Sequence, residues 1–261
     1  MEKNTIYEKK RQQLFLVLMA IFLTNALVAE MIGIKIFSVE NTLGFAPANL
    51  SILGFTMNFN LTAGVMLWPI VFITSDLINE YFGKEGVKRI SYLTMALIAY
   101  TFVILFITIL LEPADWWVEA EDDHGNVINM QLAYEKIFGQ SQRIIVGSLV
   151  AFMIGQLVDV YVFQKLRKIT GSKMLWLRAT GSTLVSQLID SYVVLFIAFY
   201  GTFENQQIIA IGITNYLYKF MIAIALTPVL YIGHHFIDRY LGKHYAEKIA
   251  EEAAKKSEGF F

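Results

Sequence analysis

Apolar residues along the chain gather into six stretches, at about 14–37, 60–81, 90–111, 143–164, 177–200 and 207–232, separated by polar or turn-rich segments. Each is near the roughly 20 residues that a helix needs to cross a hydrocarbon core of about 30 Å. Within them the apolar positions run almost all round the helix, the pattern of a segment surrounded by lipid or protein. The first stretch follows Lys9, Lys10 and Arg11, as a signal peptide would. It is too long for a signal-peptide core and runs on into "AEMIGIKIF" without a small-residue cleavage site, so it is expected to stay as a span. The sequence therefore predicts an all-α polytopic membrane protein of six transmembrane helices. A cytoplasmic segment 1–13 precedes a transmembrane domain 14–235, and a cytoplasmic tail 236–261 follows. Residues 38–59 read as a turn-rich connection, re-entrant or lying outside the core, 112–142 as an external polar loop, and the tail as a solvated, fraying helix.

Composition agrees, with 56% hydrophobic and 16% charged residues and a mean hydropathy of +0.52. Charge placement adds orientation. With the N-terminus inside, the basic residues near 3–11, 84–89, 165–178 and 239–256 are all cytoplasmic. Only Lys136 and Arg143 fall outside, while Lys35 and Lys219 lie within spans. Both termini are thus expected in the cytoplasm. A net charge of −1 gives no sign of nucleic-acid binding, and the absence of Cys excludes disulfides, thiolate metal sites and Cys nucleophiles.

Polar residues inside the apolar stretches are costly, and here they repeat. "GQLVDVYVF" (Gly155–Phe163) and "SQLIDSYVVLF" (Ser186–Phe196) each place a Gln and an Asp three residues apart, on one helical face, and "SDLINEY" (Ser75–Tyr81) is a weaker copy. Aligned, the three give Asp76, Gln156 and Gln187 at one position, Asn79, Asp159 and Asp190 at the next, and Tyr81, Tyr161 and Tyr192 two residues on. An Asp at a helix centre costs roughly 2.5–3.5 kcal/mol on insertion scales, so such acids face a polar cavity or a partner. Asp190 is the deepest by distance from the span ends. Lys219 is equally deep, either as its counter-ion or as a substrate contact. Glu80 is placed near interfacial water, and Glu30 and Lys35 form a local pair or reach the interface. Asn25, Asn215 and Gln187 are also deep, where such amides often serve as interhelical glue. Ala179, Ser182 and Ser186 form a small-residue packing stripe. Pro69 and Pro228 interrupt spans, and interrupted helices in transporters often line the midplane site. Trp68, Tyr192 and Trp176 are candidates for stacking on a flat ligand.

Enzyme chemistry lacks its parts. There is no phosphate-binding loop and no HExxH, the adjacent His234 and His235 lack zinc-ligand spacing, and the paired-aspartate protease signature is missing. No metal site and no cofactor are expected.

"WPIVFITSDLINEYFG" (Trp68–Gly83), "GQLVDVYVFQKLR" (Gly155–Arg167), "WLRATGSTLVSQLIDSYVVLFIAF" (Trp176–Phe199) and "NYLYKFMIAIALTPVLY" (Asn215–Tyr231), in that order, resemble the queuosine precursor transporter family, also called the vitamin uptake transporters. The resemblance covers about residues 14–235. It implies import of 7-deazaguanine precursors of queuosine (7-cyano-7-deazaguanine, 7-aminomethyl-7-deazaguanine or queuine) across a bacterial inner membrane. The partners it implies are a small heterocycle and the lipid bilayer, and a homodimer is compatible with it. The longer acidic loop at 112–142 and the Lys-rich tail depart from the simplest family form. One carboxylate accepts bidentately from the N1–H and exocyclic amine of a deazaguanine edge, and a Gln amide beside it both donates and accepts. The candidate substrate residues are accordingly Asp190, Gln187, Asp159, Gln156, Asp76, Asn79, Lys219, Asn215, Trp68 and Tyr192. Two other readings stay open: a membrane-embedded binding subunit served by a separate ATP-driven partner, and a proton-coupled carrier.

Overall fold

The structure, a computed structural model, describes residues 2–121, 125–139, 142–171 and 174–256. Lys173, which belongs to the basic residues near 165–178, and Asp122 and Asp123 of the acidic loop lie outside the described residues. Helix α1 spans Glu2–Ile32. It leads into a small module made of β1 (Ile36–Ser38), the short helix α2 (Val39–Leu43), β2 (Leu50–Ile52), β3 (Phe55–Met57) and β4 (Asn60–Thr62). A 3₁₀ turn (Ala63–Met66) then feeds α3 (Trp68–Ile109). After α3 come α4 (Asp115–Val118), β5 (Glu119–Glu121), β6 (Val127–Asn129) and α5 (Met130–Phe138). The chain closes with α6 (Gln142–Thr170), α7 (Leu175–Phe199), α8 (Asn205–Ala225), α9 (Thr227–Leu241) and α10 (Lys243–Lys256).

Among the described residues, five helices, α1, α3, α6, α7 and α8, are long and apolar enough to cross a membrane. The six apolar stretches and these five helices differ at α3. The stretch 60–81 from Trp68 on, and the stretch 90–111 as far as Ile109, fall on this one helix of 42 residues, which fully extended would reach about 63 Å, twice the hydrocarbon core. Its backbone breaks at Gly83 (φ 71, ψ −174), a left-handed region that glycine enters without penalty. Pro69 does not interrupt a span, because it occupies the first turn of α3, where a missing N–H costs nothing. Pro228 does mark a break, since α8 ends at Ala225 and α9 opens beside it.

The 38–59 connection is folded. Antiparallel β1/β4 and β2/β3 pairs close the module. Ser38 caps α2 by accepting from Asn41 N–H, and Gly44 ends it at φ 75. Buried Glu40 accepts from Phe59 N–H at 2.8 Å and from Ser38 Oγ at 3.1 Å. These bonds hold its carboxyl below the usual range, the Phe59 contact most of all.

Inside, α6 and α7 pack at close range. A Cβ on Gly147 would come within 3.3 Å of Ile197 Cβ and Val194 O, and one on Gly155 within 3.4 Å of Asp190 Cβ. The stripe Ala179, Ser182, Ser186 is buried on α7, as small residues at a helix contact should be. The tail corrects the expectation of a solvated helix. α10 lays Ala246, Ile249, Ala250 and Ala253 against the bundle, joining one core with α1, α3 and α9. Tyr245 stacks on Tyr7 with ring centroids 4.7 Å apart and donates to Glu8 at 2.9 Å, which ties α10 to α1. Burial of that hydroxyl pushes Tyr245 up to about 12.

Candidate functional site

The polar residues of α3, α6 and α7 form three groups that share neighbours. The first is ionic. Glu80 on α3 accepts from Arg178 Nη2 at 2.7 Å and Nε at 3.2 Å, with Arg167 Nη1 at 3.3 Å from the same carboxylate. All three are buried. Arg178 Nη1 also donates to Gly171 O at 2.8 Å, just past the end of α6, where a cation meets the negative end of the helix dipole. Arg167 donates to Glu80 O at 3.0 Å and, across to α10, to Ala250 O at 2.8 Å. This group overturns the placement of Glu80 in interfacial water. Charge counting assigned Arg167 and Arg178 to a loop because it treats each charge alone, whereas burial here is stabilised by bidentate pairing and carbonyl acceptors.

The second group is uncharged apart from its acids. Ser75 donates to Gln156 Oε1 at 3.0 Å, Gln164 donates to Asn79 Oδ1 at 2.6 Å, and Ser186 donates to Asp159 Oδ1 at 3.3 Å. The three copies of the repeat thus converge, with the Asn79, Gln156 and Asp159 side chains all buried. Four buried atoms in this region lack a hydrogen-bond partner: Asp76 Oδ1, Asn79 Nδ2, Gln156 Nε2 and Gln187 Nε2. Orphaned buried polar atoms are rare in folded proteins and point to an absent ligand, ion or water.

The third group is a pair. Lys219 Nζ on α8 donates to Asp190 Oδ2 at 2.8 Å and to Ser191 Oγ at 3.0 Å, with both partners of the ion pair about a fifth exposed (22% and 21%). Farther along α6, Ser148 donates to Glu30 of α1. Glu30 is therefore bound across helices rather than locally to Lys35.

Between α3, α7, α8 and the α8–α9 break lies a cavity with about 610 Å³ of empty space, part of it open to the outside. Its wall is mostly apolar and aromatic, with Trp68, Phe72 and Tyr218 beside aliphatic residues, and its polar groups are few: Asp76, Thr180, Thr183, Gln187, Lys219 and Thr227. Thr180 and Thr227 bond each other at 3.0 Å, fixing α7 to the α8–α9 break.

Of the ten residues singled out in the sequence, Trp68, Asp76, Gln187 and Lys219 line this cavity. Asp190 stands behind Lys219, and Asp159, Gln156 and Asn79 form the buried network on the far side of Asp76. Tyr192 is pressed against α8, where a Cβ on Gly212 would be only 2.5 Å from its Cε1, and neither Tyr192 nor Asn215 lines the cavity. Thr183 and Tyr218 line it without having been singled out. Thr183 stands four residues before Gln187 on the same face of α7, and that spacing is the signal that could have found it. Asp76 and Gln187 therefore line the cavity, and each carries a buried polar atom, Asp76 Oδ1 and Gln187 Nε2, without a hydrogen-bond partner.

The family model described as "Putative vitamin uptake transporter" matches residues 62–233, the stretch that contains the cavity and all three polar groups apart from Glu30 and α10. The chain belongs to this family. It is 34% identical over 201 residues to the "Probable queuosine precursor transporter" of Bacillus subtilis, covering 75% of this chain and 82% of that protein. It is 30% identical over 188 residues to the "Queuosine precursor transporter" of Escherichia coli, covering 70% and 74% respectively. No solved structure matches. The resemblance read from the four quoted segments is thus correct, and the chain is a multi-pass membrane protein of a transporter family, not an enzyme.

Proposed function

We propose that this protein imports 7-deazaguanine precursors of queuosine across a bacterial inner membrane and binds them in the cavity between α3, α7 and α8. The observation that carries the reading is that Asp76 and Gln187, each with a buried polar atom lacking a hydrogen-bond partner, line one cavity with Trp68, Phe72 and Tyr218. A deazaguanine base presents adjacent N–H donors to a carboxylate, a carbonyl acceptor to an amide N–H or to Lys219, and a flat face to an aromatic ring. 7-Cyano-7-deazaguanine, 7-aminomethyl-7-deazaguanine and queuine share that base. The names of the Bacillus subtilis and Escherichia coli relatives support the substrate class.

In this reading the two arms of α3, hinged at Gly83, cross the membrane separately, so the protein makes six crossings with both termini in the cytoplasm. The cytoplasmic side is then the side of Gly83, the α6–α7 junction, α9 and α10, and the basic residues near 84–89, 165–178 and 239–256 support it. Residues 14–235 form the transport unit. Asp76, Gln187, Lys219 and Trp68 contact the substrate, while Asp190 holds Lys219 in place.

Purified protein reconstituted alone into liposomes should take up radiolabelled 7-cyano-7-deazaguanine and lose the uptake to excess unlabelled base but not to uracil. Binding without movement into the lumen would contradict self-sufficient transport and indicate a separate energising partner.

A further inference from the structure

The buried acids differ in how their charge is met. Glu80 has Arg178 and Arg167, and Asp190 has Lys219. Asp76 and Asp159 have no cation within salt-bridge distance among the described residues, although they are 4% and 1% exposed. Each is the other's neighbour. Asp159 is the strongest charge acting on Asp76, and the Thr183 hydroxyl lies beside both carboxyls. Ser182 and Ser186 add two more hydroxyls around Asp159. The charged groups facing this pair from other positions are already engaged. Glu80 and Arg178, one turn along, hold each other, and Lys219 on α8 holds Asp190. On α9, His234 is 3.1 Å from Asp238, which accepts from Tyr81 at 2.8 Å.

Two like charges buried between helices, with a single surplus guanidinium in the neighbouring Glu80 cluster, leave the site short of one positive charge. Asp76 Oδ1 is buried and has no hydrogen-bond partner. We infer that Asp76 and Asp159 together bind one monovalent cation, a proton or a sodium ion, and that this cation is carried with the substrate. Both ligands fit the same oxygens. A proton would be shared between carboxyls, and sodium would take carboxylate and hydroxyl oxygens, as hard cations do.

The inference rests on the transport reading of the cavity and deepens it. Asp76 belongs to both places, since it lines the cavity and adjoins Asp159. A cation held on the Asp159 side frees the Asp76 carboxylate to accept the N–H donors of the base, and bound donors in turn stabilise the charge that holds the cation. Each ligand therefore strengthens the other's binding by the same factor.

Two measurements test it. The first needs no substrate: infrared spectra of the purified protein in sodium-free, choline-containing buffer at neutral pH should show the carbonyl stretch of a protonated carboxyl. The band should vanish in Asp159→Asn and in Asp76→Asn, shift in Asp159→Glu and persist in Glu30→Gln. Its loss from the wild-type protein on adding sodium would assign the site to sodium, and its persistence to the proton. Absence of any band that responds to Asp76 or Asp159 would overturn the inference. The second uses wild-type proteoliposomes with the membrane potential clamped. A tenfold inward gradient of the assigned cation should concentrate 7-cyano-7-deazaguanine roughly tenfold inside, for one cation carried per base. Uptake that stops at equal concentrations under both gradients would overturn the coupling. Failure of the base to enter at all would count against the transport reading, and the infrared band would still decide the site.

Discussion

Glu80 and Arg178 form a bidentate pair between α3 and α7, 2.7 and 3.2 Å long and buried, one helical turn from Asp76, whose Oδ1 has no hydrogen-bond partner. The two acids are four residues apart on one helix and have opposite tasks. Glu80 is saturated and fixes the α3–α7 geometry, which leaves Asp76 presented to the cavity.

Removing Glu80 leaves two buried guanidinium groups without their carboxylate. Breaking a buried pair from one side costs about 3–5 kcal/mol. Glu80→Gln should therefore lower the unfolding temperature of the detergent-purified protein far more than Asp190→Asn, whose pair is part-exposed. Equal unfolding temperatures for the two variants would show that the Glu80 cluster is not structural.

Asp190 holds Lys219 at 2.8 Å, and Lys219 lines the cavity where Asp190 does not. If Asp190 acts only through Lys219, the effects of Asp190→Asn and Lys219→Met on substrate affinity should not add. A double-mutant cycle should give a coupling of about 1–3 kcal/mol. A coupling of zero would mean that Asp190 has a partner other than Lys219.

Gly212 lets Tyr192 lie against the backbone of α8, since a Cβ there would be 2.5 Å from Cε1 and 2.9 Å from Cζ. Gly212→Ala should destabilise the protein by about 1–3 kcal/mol, the usual cost of overpacking. Combining it with Tyr192→Leu should recover most of that. A Gly212→Ala variant as stable as the wild type would mean that α7 and α8 are farther apart than described.

The sequence has no Cys, so single introduced thiols report topology cleanly. An impermeant maleimide should label Glu121→Cys in intact spheroplasts and Glu85→Cys only after the membrane is broken. The reverse pattern would invert the orientation.

The fold was legible where hydrophobicity alone decides it: α1, α6, α7 and α8 lie where the apolar stretches predict them. The β1–β4 module was read only as turn-rich, because three-residue strands paired through Glu40 and Phe59 leave no periodic pattern. α10 was read as solvated because its buried face is mostly alanine, whose small side chains give little hydropathy signal. At the site, the repeat marks Asp76 and Gln187, which line the cavity, whereas depth ranks Asp190 first. Distance from a span end fixes how far a residue lies within the membrane, not the direction it faces, and Asp190 turns towards Lys219 and Gly155. Glu80 was misplaced for the complementary reason: its partners come from α6 and α7, far away in sequence.

With the substrate bound in this cavity, Asp76 is the acceptor for its N–H edge. Asp76→Asn keeps the shape and sets an amide N–H against those donors. A hydrogen bond to a charged group is worth about 1.5–3 kcal/mol, so the apparent affinity for 7-cyano-7-deazaguanine should fall roughly 10- to 150-fold. The deciding measurement is equilibrium binding of the radiolabelled base to wild-type and Asp76→Asn protein in matched proteoliposomes. A loss in that range, with the unfolding temperature retained, is the predicted result. Wild-type affinity in Asp76→Asn would contradict the placement of the substrate in this cavity.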